Sequence, residues 1–306
     1  LLGWWQPRVR TVRSFMIVAS SVVAVPVVAL LLGWTALRAG TWVPVGAPAL
    51  ASALSFIVTS GWSLRALRLE ISASKTVFER AAGKERAEVI WKHREDVLDG
   101  AQLPSSTFES TVLFSDLAES TRVSHQLEAA EGPDAYVKWH EDYMNEMVRI
   151  VHEHNASIDA FIGDGLMVNF GDPARPDDGH AEVAARCALA MRRCVEELNQ
   201  ELDPDVPRYR LRIGVYSGSV NRSQRGTAEQ FDYALSGTAV NLAKRLEEFD
   251  KESFRDSTEA VRILISKRTH QLLPGSWPCS PARPDPVHID RNTPPVMVWS
   301  LDEKPV

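Results

Sequence analysis

Two short apolar runs, residues 157–162 and 166–170, are joined only by Gly163-Asp164-Gly165. A glycine-flanked link this short is a hairpin signal, so the two runs pair antiparallel and the chain around them must accommodate a sheet. Strand and helix periodicities alternate on either side. Residues 110–114 form a short apolar run, 118–128 and 134–153 read as helices, and 181–202 reads as a helix ending before Pro204. Residues 209–216 alternate as a strand, 230–235 as another, and 238–249 follow as a helix. This order predicts an α+β domain: a ferredoxin-like antiparallel sheet with helices on one face, then a smaller strand-helix-strand tail over 261–301.

The amino-terminal part has a different character. Residues 14–37 and 39–64 contain no charged side chain, and Trp42 and Trp62 lie near the ends of the second stretch. Each is long enough to cross a hydrocarbon layer, which predicts a two-span hairpin in the cell (inner) membrane. Arg8, Arg10 and Arg13 before the first span and Arg65 and Arg68 after the second outnumber Arg38 between them, so both flanks are expected in the cytoplasm. A cleaved signal peptide fits the first stretch less well, because it is long, arginine-flanked and followed by a second. The sequence opens at Leu1 rather than methionine, and further residues are expected before it. Residues 68–99 are rich in Glu, Lys, Arg and Ala, lack proline and stop at Gly100, as a helix would. Ile71, Phe78, Ala82, Val89 and His93 form a partial seam, consistent with a paired connector helix or with a single solvated one. The expected division is 1–65 membrane anchor, 66–104 connector and 105–306 catalytic domain.

With 44% hydrophobic and 24% charged residues among 306, the chain can build a globular core. Its net charge of −6 argues against nucleic acid as a partner, which demands phosphate neutralisation. Cys187, Cys194 and Cys279 form no CxxC pair and read as buried small hydrophobes. His140, His152 and His154 read as surface or capping residues rather than zinc ligands. A phosphate-binding P-loop is absent from the sequence.

Three segments carry chemistry. Asp116, in Phe114-Ser115-Asp116-Leu117, and Asp164 each follow an apolar run, where a strand end or tight turn aims a carboxylate at a metal-bound phosphate. In the segment from Gly237 to Arg245, Asn241 and Arg245 stand four apart and share a helix face.

Over residues 110–300 these segments resemble the class III nucleotidyl cyclases. The first metal motif of that family appears from Val112 to Thr121, the second as Ile162-Gly163-Asp164-Gly165-Leu166-Met167-Val168-Asn169-Phe170-Gly171, and the third from Gly237 to Leu246. Ile213-Gly214-Val215-Tyr216-Ser217-Gly218 resembles the strand before the dimerisation arm. The resemblance implies a membrane-bound cyclase that converts a nucleoside triphosphate to a 3',5'-cyclic mononucleotide and pyrophosphate. Two divalent cations, Mg2+ or Mn2+, would be held by Asp116, Asp164 and the backbone carbonyl of Leu117. Asn241 would orient the ribose and Arg245 would stabilise phosphate charge, so losing Arg245 would lower turnover more than binding. A homodimer with shared active sites is implied, the aspartates coming from one copy and the Asn/Arg helix from the other.

The base pocket departs from the family pattern. Adenylate cyclases usually carry Lys and Asp or Thr where this chain has Ala160 and Ala234, and neither methyl can donate or accept. Asp159 and Asp232 lie close to the two alanines in sequence and would substitute for them only after a register shift, since adjacent residues on a strand point to opposite faces. Arg222, Gln224 and Arg225 either contact a different base, such as UTP or CTP in anti-phage pyrimidine signalling, or belong to a solvated loop, the default for such runs. Arg291 stands where relatives place a triphosphate contact. An ordinary adenylate cyclase and a catalytically degenerate nucleotide sensor or scaffold are the alternatives. A cyclic-dinucleotide synthase is disfavoured by the lack of a Gly-Gly-Asp/Glu-Glu/Asp-Phe turn.

Overall fold

The structure is a computed structural model that describes residues 27–28, 31, 33–41, 46–171, 179–227, 229–283, 285–288 and 295–302. The chain divides into two compact units, Leu1–Ala81 and Ala82–Val306.

Most of the first unit's described residues lie in α1 (Gly46–Ala82). The two-span expectation is overturned here: among the described residues no helix is long and apolar enough to cross a membrane. Ser52, Ser55, Thr59, Ser60 and Ser63 dilute the apolar half of α1, and the same helix runs on through Arg65, Arg68 and Glu70. Most of the first expected span, 14–37, lies outside the described residues. With the spans goes the expected two-span placement in the inner membrane.

Helix 68–99 is not continuous either. After α1 the chain breaks at Gly83, continues as α2 (Lys84–Lys92), and breaks again at His93 before α3 (Arg94–Leu98). The seam from Ile71 to His93 is thus cut at Gly83 and ends on the second break.

In the second unit, β1 (Ser106–Leu117), α4 (Ser120–Glu131), α5 (Pro133–Glu153), β2 (Ser157–Ile162), β3 (Gly165–Phe170) and α6 (His180–Glu201) come first. There follow β4 (Leu211–Gly226), β5 (Phe231–Ser236), α7 (Thr238–Glu248), α8 (Lys251–Asp256), β6 (Val261–Ser266), α9 (Lys267–Leu272), β7 (Cys279–Pro281) and β8 (Val298–Leu301). The strands form one sheet in the order β2-β3-β1-β4-β6-β8-β7, with β5 paired to β4. Only β4 and β6 run parallel; the other described pairings are antiparallel. The α+β expectation holds.

Helices cover both faces of the sheet, not one. Leu113 and Leu117 of β1 join the large core with Tyr143 and Met147 of α5 and Ala184, Ala188 and Met191 of α6. Val112 and Phe114, the alternate residues, pack instead with Val240 and Ala243 of α7. Because alternate side chains of a strand point to opposite faces, α7 lies across the sheet from α5 and α6. Burial on both sides makes the middle of β1 a continuous buried run, so its residues do not alternate with polar ones.

The polar run 221–226 is strand rather than solvated loop. It prolongs β4, pairing Asn221 and Arg222 with β1 on one edge and Asn221 through Gly226 with β5 on the other.

Candidate functional site

The first carboxylate is set by strand register. Asp116 is the penultimate residue of β1 and stands directly opposite Arg212 of β4, while its neighbour Ser115 stands opposite Leu166 of β3. The hairpin turn between β2 and β3 therefore arrives at the end of β1, and with it Asp164. Contact is close: a Cβ at Gly165 would meet the Ser115 carbonyl oxygen at 2.2 Å and Asp116 Oδ1 at 3.2 Å. The two metal-type aspartates are thus brought to the same end of the sheet, and Leu117, buried, closes β1 beside them.

Each carboxylate has its own partners. Arg212 Nη2 donates to Asp116 Oδ2 at 2.5 Å, and Arg212 Nε donates to Glu247 Oε1 of α7 at 2.8 Å. Lys244 Nζ donates to Glu247 Oε2 at 2.7 Å. Burial, then the Glu247 charge, push the Asp116 carboxyl above the usual range, and Lys244, Arg212 and Lys251 oppose this. Asp164 Oδ1 accepts from Tyr136 Oη at 3.1 Å, and His140 Nε2 lies 3.9 Å from it. Tyr136 and His140 stand four apart on α5 and so converge on one point. Burial and then Asp164 push the Tyr136 hydroxyl up to about 12, which keeps it a donor.

Asn241 and Arg245 are both exposed on α7, while Leu242, Ala243, Leu246 and Glu247 are buried on its other side. Arg245 Nη1 is 3.5 Å from Glu248 Oε2 of the same helix. The helix seats tightly, since a Cβ at Gly214 of β4 would lie 2.2 Å from the Glu247 nitrogen and 2.5 Å from the Ala243 oxygen.

The donor set fits a divalent cation of the Mg2+ class. Among the described residues no three His, Cys, Asp or Glu side chains gather into an all-protein cage. Such ions use one or two carboxylates together with water and substrate phosphates, and Asp116 and Asp164 supply that number of hard oxygens. A cation already stands against Asp116 in the form of the Arg212 guanidinium.

Around the expected base pocket the strands β2 and β5 meet. Asp159 sits at a register irregularity between Ile158 and Ala160, is buried, and its Oδ2 accepts the Leu235 N–H at 3.1 Å. The irregularity turns Asp159 inward toward β5, and Ala160 packs against the Phe114 cluster. Ala234 stands opposite Ser223 of β4. Asp232, in contrast, is outward, 3.7 Å from Arg86. Arg222 is buried above the Phe108 ring with Nη2 3.6 Å from Asp159 Oδ1, whereas Arg225 is exposed. Arg291 lies outside the described residues.

Sequence reasoning missed Arg212, Glu247, Tyr136 and His140. A signal existed for the first two: each is a charge placed at a core position, Arg212 within the apolar run of β4 and Glu247 four residues after the buried Ala243. His140 was expected at the surface but lies beside Asp164, whereas His154 caps α5, its Nδ1 2.8 Å from the Ile150 carbonyl oxygen.

A hairpin carboxylate thus lies beside a strand-end carboxylate at one end of a largely antiparallel sheet. Residues 104–289 match the family model described as the adenylate and guanylate cyclase catalytic domain, and the chain belongs to that family. Among curated relatives, adenylate cyclase 1 of Rhizobium meliloti is 30% identical over 145 residues, covering 47% of this chain and 21% of the relative. The adenylate cyclase of Anabaena cylindrica is 29% identical over 153 residues, covering 48% and 28%. The chain thus matches only about a quarter of the length of these relatives. Among solved structures, the adenylyl cyclase CyaB from P. aeruginosa superposes with a TM-score of 0.56 at 29% identity, covering 66% of this chain and 97% of that one. The guanylyl cyclase Cya2 gives 0.52 at 26% identity, with 65% and 94% covered.

Proposed function

We propose that the catalytic domain, 105–306, cyclises a nucleoside triphosphate to a 3',5'-cyclic mononucleotide and pyrophosphate, at sites shared by two copies of the chain. One observation carries this reading. Asp116 and Asp164 share one end of the sheet, while Asn241 and Arg245 are exposed on α7 and free to face a second copy, which supports two complementary half-sites in each copy. In the reaction the ribose 3'-oxygen bonds to the α-phosphorus, the bond from that phosphorus to the bridging oxygen breaks, and the hydroxyl proton leaves to solvent. Two Mg2+ or Mn2+ ions would supply charge neutralisation on the attacking and leaving oxygens. Asp116, Asp164 and the Leu117 carbonyl would hold them; Asn241 would orient the ribose, and Arg245 would balance charge on the phosphate as the bond order shifts.

The base is the open choice within this function. Ala160 and Ala234 offer no hydrogen bond to a base edge, so the usual purine readout is absent, and a pyrimidine triphosphate, UTP or CTP, of anti-phage signalling stands beside ATP as a candidate substrate. Of the arginines expected to contact base or triphosphate, Arg225 is exposed, Arg222 is buried beside Asp159, and Arg291 lies outside the described residues. Incubating the protein with Mn2+ and each of ATP, GTP, CTP and UTP, with products resolved by mass, tests the reading. One cyclic mononucleotide, lost in Asp116→Ala, is expected. Cyclic AMP would make it an ordinary adenylate cyclase, and nucleotide binding without any product would make it a sensor.

A further inference from the structure

We propose that Arg212, clamped by Glu247, is the positioning residue that aims the metal-binding oxygen of Asp116; this rests on the two-ion reading above. Three observations converge. Arg212 uses separate nitrogens of one guanidinium on two carboxylates, Nε on Glu247 at 2.8 Å and Nη2 on Asp116 Oδ2 at 2.5 Å. Glu247 is fully buried, and its second oxygen is taken by Lys244, so it cannot turn away. Asp116 Oδ1 is the oxygen on the Gly165 side, next to the turn that carries Asp164.

Geometry gives the arrangement its direction. A guanidinium is planar and rigid, so fixing its Nε side fixes where the Nη2 hydrogen points. That hydrogen holds Oδ2, and holding one oxygen of a carboxylate sets the rotation of the other. Oδ1 is left on the side of the Gly165 turn that carries Asp164, free to serve as a metal ligand. Gly214 sets the height of the clamp, because any side chain there would push the Glu247 backbone off the strand. An outer partner of this kind typically changes metal affinity about 10- to 100-fold when lost.

The test is Mn2+ binding to the full chain without nucleotide, read from the electron paramagnetic resonance of free Mn2+ out to millimolar concentration. Arg212→Ala is expected to weaken binding about 10- to 100-fold. Arg212→Lys should weaken it too, because an ammonium cannot reach both carboxylates in a fixed plane. Glu247→Gln, near-isosteric, should weaken it by a smaller factor, since the guanidinium keeps an acceptor but loses its charge partner. Circular dichroism identifies any variant that fails to fold; should Arg212→Ala be one, the Lys and Gln variants decide the matter. Folded Arg212 variants that bind Mn2+ as tightly as the parent, or more tightly, would overturn the proposal, Arg212 then being a bystander or a competitor of the ion. Asp164→Asn separates the two levels: if it abolishes binding while the Arg212 and Glu247 variants do not, only the positioning role falls. Absence of Mn2+ binding by the parent even with a non-cyclisable nucleoside triphosphate analogue added, or binding indifferent to Asp164→Asn, would remove the two-ion reading and this proposal together.

Discussion

Position 165 has room for a hydrogen and nothing larger, because a methyl there would sit 2.2 Å from the Ser115 carbonyl. Gly165→Ala must lift the hairpin turn off the end of β1, and with it Asp164 away from Asp116. We expect a loss of about 1–3 kcal/mol of stability by thermal unfolding, with a fall in cyclisation larger than the stability loss explains. The cysteines give a second expectation at this scale. Burial pushes the Cys187 thiol up to about 12 and, with help from Glu146, Cys194 to about 11. A raised thiol pKa means less thiolate at any pH below it, so iodoacetamide at pH 8 should modify the native protein at least about a hundredfold more slowly than the urea-unfolded chain. Mass spectrometry of the peptides holding Cys187 and Cys194 measures this directly. Asp116 and Asp164 were legible in the sequence because each closes an apolar run. Arg212 and Glu247 were not, because a charge inside an apolar stripe gains its meaning only from a partner on another element, and their partner is 35 residues away.

Among the elements, hairpin β2–β3 and helix α7 were legible to within a residue or two, since each has a strong local period and a turn or glycine at its border. The long half of β4 was not. Ser217, Ser219, Asn221, Ser223 and Gln224 carry no apolar signal, and what holds them is main-chain pairing with strands far away in sequence. Amide hydrogen exchange should show the difference: protection is expected to persist through residues 217–222, where a solvated loop would exchange within seconds. The break at Gly83 was hidden by strong helix formers on both sides, and the placement of α7 across the sheet was hidden because strand order is a long-range property.

At the scale of the whole molecule, the amino-terminal stretches pointed to a membrane from their length, their lack of charge and their tryptophan and arginine flanks. Serine, threonine and glycine also lack charge, and their weight in α1 keeps the described helices short of a membrane-crossing hydropathy. The catalytic assembly makes its own prediction. If Asp116 of one copy works with Asn241 of the other, mixing Asp116→Ala and Asn241→Ala chains yields half mixed dimers, each with one intact site. Two inactive preparations should then recover about a quarter of parental turnover, and no recovery would place all four residues in one copy.

Helix α7 faces two ways: Glu247 turns inward to the clamp on Asp116 of its own copy, while Asn241 and Arg245 turn outward. In a shared-site dimer the same rigid rod therefore belongs to both reaction centres at once. Were filling one centre to shift that rod, the other centre would feel it, and the expected sign is a rate that follows substrate concentration with a Hill coefficient different from one.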